Sequence, residues 1–152
     1  MATWAELETA APDIGTAGRR FFEVNEVFYL ATVSKAGWPR VHPFCPALAA
    51  GSLWAFIMEE SPKRRDLDAN GRFAIHALPG AEDEEFFVAG RATRQPDPER
   101  REVALAAMPY NNADERHILF EFFPSRALWT AWENFQQPGM RPVHRAWRDP
   151  TQ

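Results

Sequence analysis

A mainly β fold with a few short helices, about six to seven strands in all, is what the 152 residues predict. Short runs rich in β-branched and aromatic residues alternate with Gly-containing turns, and two successive hairpins fall in the first half of the chain. Aromatic content is high, with 12 Phe and 6 Trp in a chain that is 45% hydrophobic. Such a composition suits one compact domain over residues 1–152 with an aromatic interior or interface.

A helix is expected over about residues 13–25, ahead of the first strand at 27–33. Ser34-Lys35-Ala36-Gly37 reads as a tight turn into a second strand, 38–49, and Ala50-Gly51-Ser52 turns the chain into a third, 53–58. Ser61 is a good N-cap, Pro62 suits the first helical position, and Asn70-Gly71 supplies a left-handed stop, so the next element is a short helix. Strands follow at 72–78 and 85–94, a helix at 98–108, and strands at 117–123 and 126–132. The tail, about 135–152, is rich in Pro, Arg and Trp and can fold over a substrate pocket or wrap a partner subunit; Trp147 among polar neighbours suits an interface anchor and favours wrapping.

The first turn of the helix behind Ser61 carries Lys63, Arg64 and Arg65. Cations there oppose the positive end of the helix dipole, at a few tenths of a kcal/mol each, unless an anion joins them. Arg40 and His42 share a face of the second strand by the period of two, and a strand running into Ser61 can bring Lys63 alongside them. Together these residues can form a phosphate cradle. A solvated basic face, with Arg40 paired to a surface carboxylate, accounts for the same pattern.

These residues resemble the flavin-binding split-barrel proteins related to pyridoxamine 5'-phosphate oxidase. The strand-turn-strand opening of that family is similar to Ala31-Thr32-Val33, Gly37 and Pro39-Arg40-Val41, and its S-x-K helix start is similar to Ser61-Pro62-Lys63, closed by Leu67. The resemblance implies a split β-barrel in which Arg40 and Lys63 bind the FMN phosphate and Ser61 assists. It further implies that the backbone around Val41, His42, Phe56 and Ile57 lines the isoalloxazine and ribityl chain. It implies a homodimer with FMN between subunits, a flavin-dependent oxidoreductase and a small-molecule substrate. Trp129 and Trp132 lie on opposite faces of one strand, so one of them can reach the cofactor groove; Trp132 is the candidate. Pro62 stands where the oxidases commonly carry a second basic residue, and their Tyr, Arg and Ser set for the substrate phosphate has no counterpart. Arg141, His144 and Arg145 echo, at a different spacing, the Trp, Arg and His signature that closes the oxidase active site.

The flavin carries the redox chemistry in such proteins, so no acid or base is required, and His42 is the candidate for tuning flavin or substrate. Deazaflavin and haem are alternative cofactors on this barrel, the latter with His144 as an axial ligand, and a non-catalytic flavin-binding module is a third reading. Net charge is −4 with no long basic block, which argues against nucleic acid. No run suits a membrane span and no leader pattern is present, so the cytoplasm is expected. Cys45 stands alone and His42, His76, His117 and His144 show no paired ligand spacing, so neither an internal disulfide nor a metal site is expected. The acidic run 82–85 reads as a solvated loop, and no Walker loop, dinucleotide fingerprint or nucleophile elbow is present.

Overall fold

Eight strands rich in apolar and aromatic residues form one antiparallel sheet, seen in a computed structural model that describes residues 1–109 and 113–151. The sheet has eight strands rather than six to seven. They are β1 (Phe28–Val33), β2 (Pro39–Phe44), β3 (Pro46–Ala49), β4 (Ser52–Met58), β5 (Arg72–His76), β6 (Glu85–Arg94), β7 (His117–Glu133) and β8 (Arg141–Arg148). Their order is β2-β1-β5-β6-β7-β4-β3, with β8 paired to the far half of β7.

The expected strand over 38–49 is divided at Cys45: β2 pairs with β1, whereas β3 pairs with β4. Two halves of one stretch thus form the two edges of the curled sheet, which leaves the barrel split between them. The strands expected at 117–123 and 126–132 are instead one 17-residue strand, β7. The register shifts by a bulge where Gly90 meets Pro124, and this irregularity lets β7 bend without breaking. A Cβ on Gly90 would lie 2.0 Å from the Phe123 carbonyl oxygen, so only glycine fits.

Four helices pack on this frame: α1 (Trp4–Ala10), α2 (Pro12–Val24), α3 (Pro62–Asn70) and α4 (Pro98–Ala107). The N-terminal region therefore holds two helices where one was expected. α1 opens with a capping box in which Thr3 and Glu6 satisfy each other's backbone N–H groups. Trp4, Phe21 and Phe22 from α1 and α2 meet Phe28 and Phe86 in a cluster of stacked and edge-on rings at the heart of the core. α4 covers a second cluster that contains Trp54, Phe56 and Leu119.

Part of the tail is a strand. Its residues Arg141–Arg148 form β8 on β7 of their own chain, from Glu133↔Arg141 to Arg126↔Arg148, and Arg145 pairs with Asp13 of α2 at 3.2 Å. The run 82–85 is also more than a solvated loop: the carboxylate of Glu84 accepts two bonds from Arg20 at 2.8 Å and one from the Trp129 indole at 3.2 Å.

Candidate functional site

Ser61 caps α3 by accepting from the Arg64 N–H, and the helix ends at Gly71 in the left-handed region with φ 66. The three cations of its first turn are each held by a backbone carbonyl. Arg64 donates to Glu59 O at 2.6 Å, Arg65 to Glu60 O at 3.1 Å, and Lys63 reaches across to Pro43 O on β2 at 3.0 Å. Arg64 also pairs with Asp68, the carboxylate that clamps Arg94 of β6 through two bonds of 2.7 Å. These arginine bonds drive the Asp68 carboxyl below its usual range.

Lys63 is different. Among the described residues no carboxylate comes within ion-pair distance of its ammonium. Partial burial pushes its pKa down, because a carbonyl offsets the desolvation of a charge less than an anion does.

Registered opposite Arg40 and His42 are Thr32 and Leu30, which face inward. Arg40 and His42 therefore lie on the sheet face turned toward α3. Arg40 Nε approaches Asp66 Oδ2 of α3 at 3.3 Å, and Thr32 Oγ1 donates to the same oxygen at 2.8 Å. Asp66 is only 4% exposed, so this triad anchors α3 to the first hairpin. The His42 ring sits in the field of Lys63, Asp66 and Arg40, and its buried Nε2 has no hydrogen-bond partner among the described residues. Burial first, and then the Lys63 and Arg40 cations, depress its pKa.

Arg40, His42, Ser61 and Lys63 are thus brought to one corner of the fold, with Asp66 as a member not anticipated from sequence. Val41, on the opposite face of β2, is exposed. Phe56 and Ile57 point in opposite directions: Ile57 enters the main core, while Phe56 lies under α4 with the Arg101 guanidinium 4.8 Å from its ring centre. Only their backbone can face a ligand near Ser61. Trp132 lies toward the far end of β7 and donates from its indole to Asp83 O at 3.2 Å, away from the Arg40 corner of the same chain. His144 is exposed and its Nδ1 bonds Thr130 Oγ1 at 2.9 Å. His117 bonds Asp114 at 2.9 Å and His76 bonds its neighbour's carbonyl at 2.6 Å.

A cationic corner set on a split antiparallel barrel defines the class of the protein: the split-barrel fold related to pyridoxamine 5'-phosphate oxidase. A sequence model of the family described as pyridoxamine 5'-phosphate oxidase matches residues 14–128, and the chain belongs to that family. A search of the curated proteins finds no match.

Among solved structures, a haem-binding protein from Mycobacterium smegmatis superposes with TM-score 0.63 at 20% identity over 87% of this chain. The chain spans 58% of the length of that protein. HutZ, the haem storage protein from Vibrio cholerae, gives TM-score 0.60 at 15% identity, covering 72% of this chain and 88% of its own. A pyridoxamine 5'-phosphate oxidase-related, FMN-binding protein from Nostoc punctiforme gives TM-score 0.62 at 12% identity, covering 91% and 95%. At such identities the likeness is one of fold. No helix among the described residues is long and apolar enough to cross a membrane.

Proposed function

We propose that the chain is a homodimeric, FMN-dependent oxidoreductase of small molecules, with residues 1–152 acting as one cofactor-binding unit. The observation that carries the reading is the half-buried Lys63 ammonium, held by a carbonyl and, among the described residues, by no carboxylate, beside Arg40, His42 and the N-terminus of α3. An anion at this corner gains a helix dipole and two cations, and it relieves the desolvation of Lys63. The phosphate of FMN is that anion in this reading, received by Lys63, Arg40 and the Ser61 region. Asp66 steadies Arg40 for the contact while neutralising part of its charge.

The orphaned Nε2 of His42 fits a polar atom of the ligand. Since its depressed pKa keeps the ring neutral near pH 7, it can offer either a donor or an acceptor there, according to tautomer. The backbone of β4 and Val41 lines the rest of the cofactor. Bound FMN supplies hydride and electron transfer, and the protein supplies binding, orientation and a partly dehydrated site.

Haem and deazaflavin are the rival ligands, since two fold relatives are a haem-binding and a haem storage protein. The visible spectrum of the purified protein, titrated with each in turn, tests the assignment. FMN is expected to bind. Lys63→Ala is expected to weaken it roughly tenfold to a hundredfold, the loss of one charge-assisted contact worth about 1.5 to 3 kcal/mol. A folded Lys63→Ala protein that binds FMN as tightly as the parent overturns the site. A Soret band that His144→Ala abolishes overturns the cofactor.

A further inference from the structure

Two of the 17 Lys and Arg side chains are lysines, Lys35 and Lys63. Guanidinium groups stay protonated, so within that set these two amines are the ones that can attack a carbonyl carbon. Their surroundings are opposite. Lys35 is exposed in the turn between β1 and β2, where water solvates its charge. Lys63 is half-buried, and among the described residues its ammonium is held by a neutral carbonyl, Pro43 O at 3.0 Å, and by no carboxylate. Burial without a counter-ion favours the neutral amine, which is the nucleophilic form, and lowers the pKa. Bordering this amine are the groups assigned above to a phosphate: the Arg40 guanidinium, steadied at 3.3 Å by Asp66, and the N-terminus of α3 behind Ser61. A nucleophile set beside an anion site is selective for a reagent that carries its own phosphate, because binding makes the attack effectively intramolecular.

On the reading of this corner as a phosphate site, on which the inference rests, we propose that Lys63 is an acylation site for small acyl phosphates and that its acylation excludes the cofactor phosphate. Arg40 and the N–H groups of α3 hold the phosphoryl group. The acyl carbon is joined to one of its oxygens, so a phosphoryl group held here brings that carbon within reach of the bordering amine. The lone pair of the Lys63 nitrogen forms a C–N bond to the acyl carbon. The bond from that carbon to the phosphoryl oxygen breaks, inorganic phosphate leaves with the electron pair, and the proton lost from nitrogen passes to solvent. Nothing is oxidised or reduced. The product is an uncharged amide, so the corner loses one of its two cations for phosphate. Acylation and cofactor binding then compete for the same residue, and the supply of acyl phosphate sets the fraction of the chain able to take up cofactor.

The test incubates the full-length chain, free of cofactor, with acetyl phosphate and follows acetylation of Lys63 and Lys35 by peptide mass spectrometry, Lys35 serving as the internal standard. Lys63 is expected to react at least about tenfold faster than Lys35, at a rate that saturates with acetyl phosphate and falls when inorganic phosphate is added. Lys35 is expected to react in proportion to the reagent and to ignore phosphate. Acetylation by the N-hydroxysuccinimide ester of acetic acid, which carries no phosphate, separates binding from amine reactivity without any variant: the preference for Lys63 is expected to be lost. Arg40→Gln is expected to lower the Lys63 rate with acetyl phosphate and to leave Lys35 unchanged. Chain acetylated at Lys63 is expected to bind FMN at least about tenfold more weakly than chain acetylated at Lys35 alone. The proposal is overturned by equal rates at the two lysines, by a Lys63 rate that stays linear in acetyl phosphate at millimolar concentration, or by the same Lys63 preference with the neutral ester. The FMN titration tells the two readings apart. Saturable acetylation of Lys63 in a chain that does not bind FMN upholds the acylation site and overturns the cofactor; FMN binding to a chain whose Lys63 reacts no faster than Lys35 does the reverse.

Discussion

At the scale of single residues the decisive contrast at the α3 corner is between cations that have found a carboxylate and a half-buried one that, among the described residues, has not. Arg64 and Arg94 share Asp68, and Arg40 has Asp66; Lys63 has a carbonyl. His42 feels that arrangement directly. Its pKa is depressed by burial and by the neighbouring cations, so the unfolded chain binds more protons than the folded one between the folded value and about 6.5. Stability from this group therefore rises with pH through that window and is lost on acidification below about pH 6.5. The parent is expected to melt progressively earlier below that pH, and His42→Gln to show a shallower decline in thermal scans. Saturating phosphate, by placing an anion beside the ring, is expected to flatten the parent's decline toward that of the variant. Equal slopes for parent and variant without phosphate would show that the ring titrates as it does in water.

At the scale of elements, local chemistry was legible in the sequence and long-range pairing was not. Ser61-Pro62 and Asn70-Gly71 mark the start and stop of α3, and the turn at Gly37, with φ 87 and a bond from its N–H to Ser34 O, follows from a glycine at the one place that needs it. α1 carried its own signal, the Thr3 to Glu6 capping box, in a stretch of only seven residues. β8 carried little: Arg, Pro and His dominate it, its half-buried side is only Val143, Arg145 and Trp147, and it is ordered by its ladder to β7 and by Trp147 packing on the core. Asp66 was hidden for a similar reason, since its role depends on how α3 sits over the first hairpin. Gly90 shows how narrow such tertiary requirements are. Gly90→Ala puts a methyl against backbone at the bend of β7, where no side chain can yield. The expected loss is about 3 kcal/mol or more in denaturant unfolding, with poor expression as its visible sign. A loss below about 1 kcal/mol would mean that the bulge can slide.

At the scale of the whole molecule, the exposed face of the first hairpin argues for a second copy. Tyr29 is 46% exposed, Val41 66% and Trp38 74%, and Val27 and Leu78 add further apolar surface near that edge. Covering a large apolar side chain stabilises by about 1.5 to 3 kcal/mol, so an edge of this kind is costly to leave wet. In the proposed homodimer a two-fold axis would cover it twice and would bring the Arg40 corner of one protomer near the other subunit. Trp132, remote from that corner in its own chain, can then approach it from the partner. Sedimentation velocity is expected to give a species of twice the 17.3 kDa chain mass for the parent. Val41→Glu, which puts a charge into the face, is expected to return it to the mass of one chain and to weaken FMN together with the dimer. Lys63→Ala is expected to remain dimeric while losing FMN. That pair of variants separates the phosphate contact from the assembly: a monomeric parent at micromolar concentration with full FMN affinity would leave the cationic corner in place and remove the second subunit from the site.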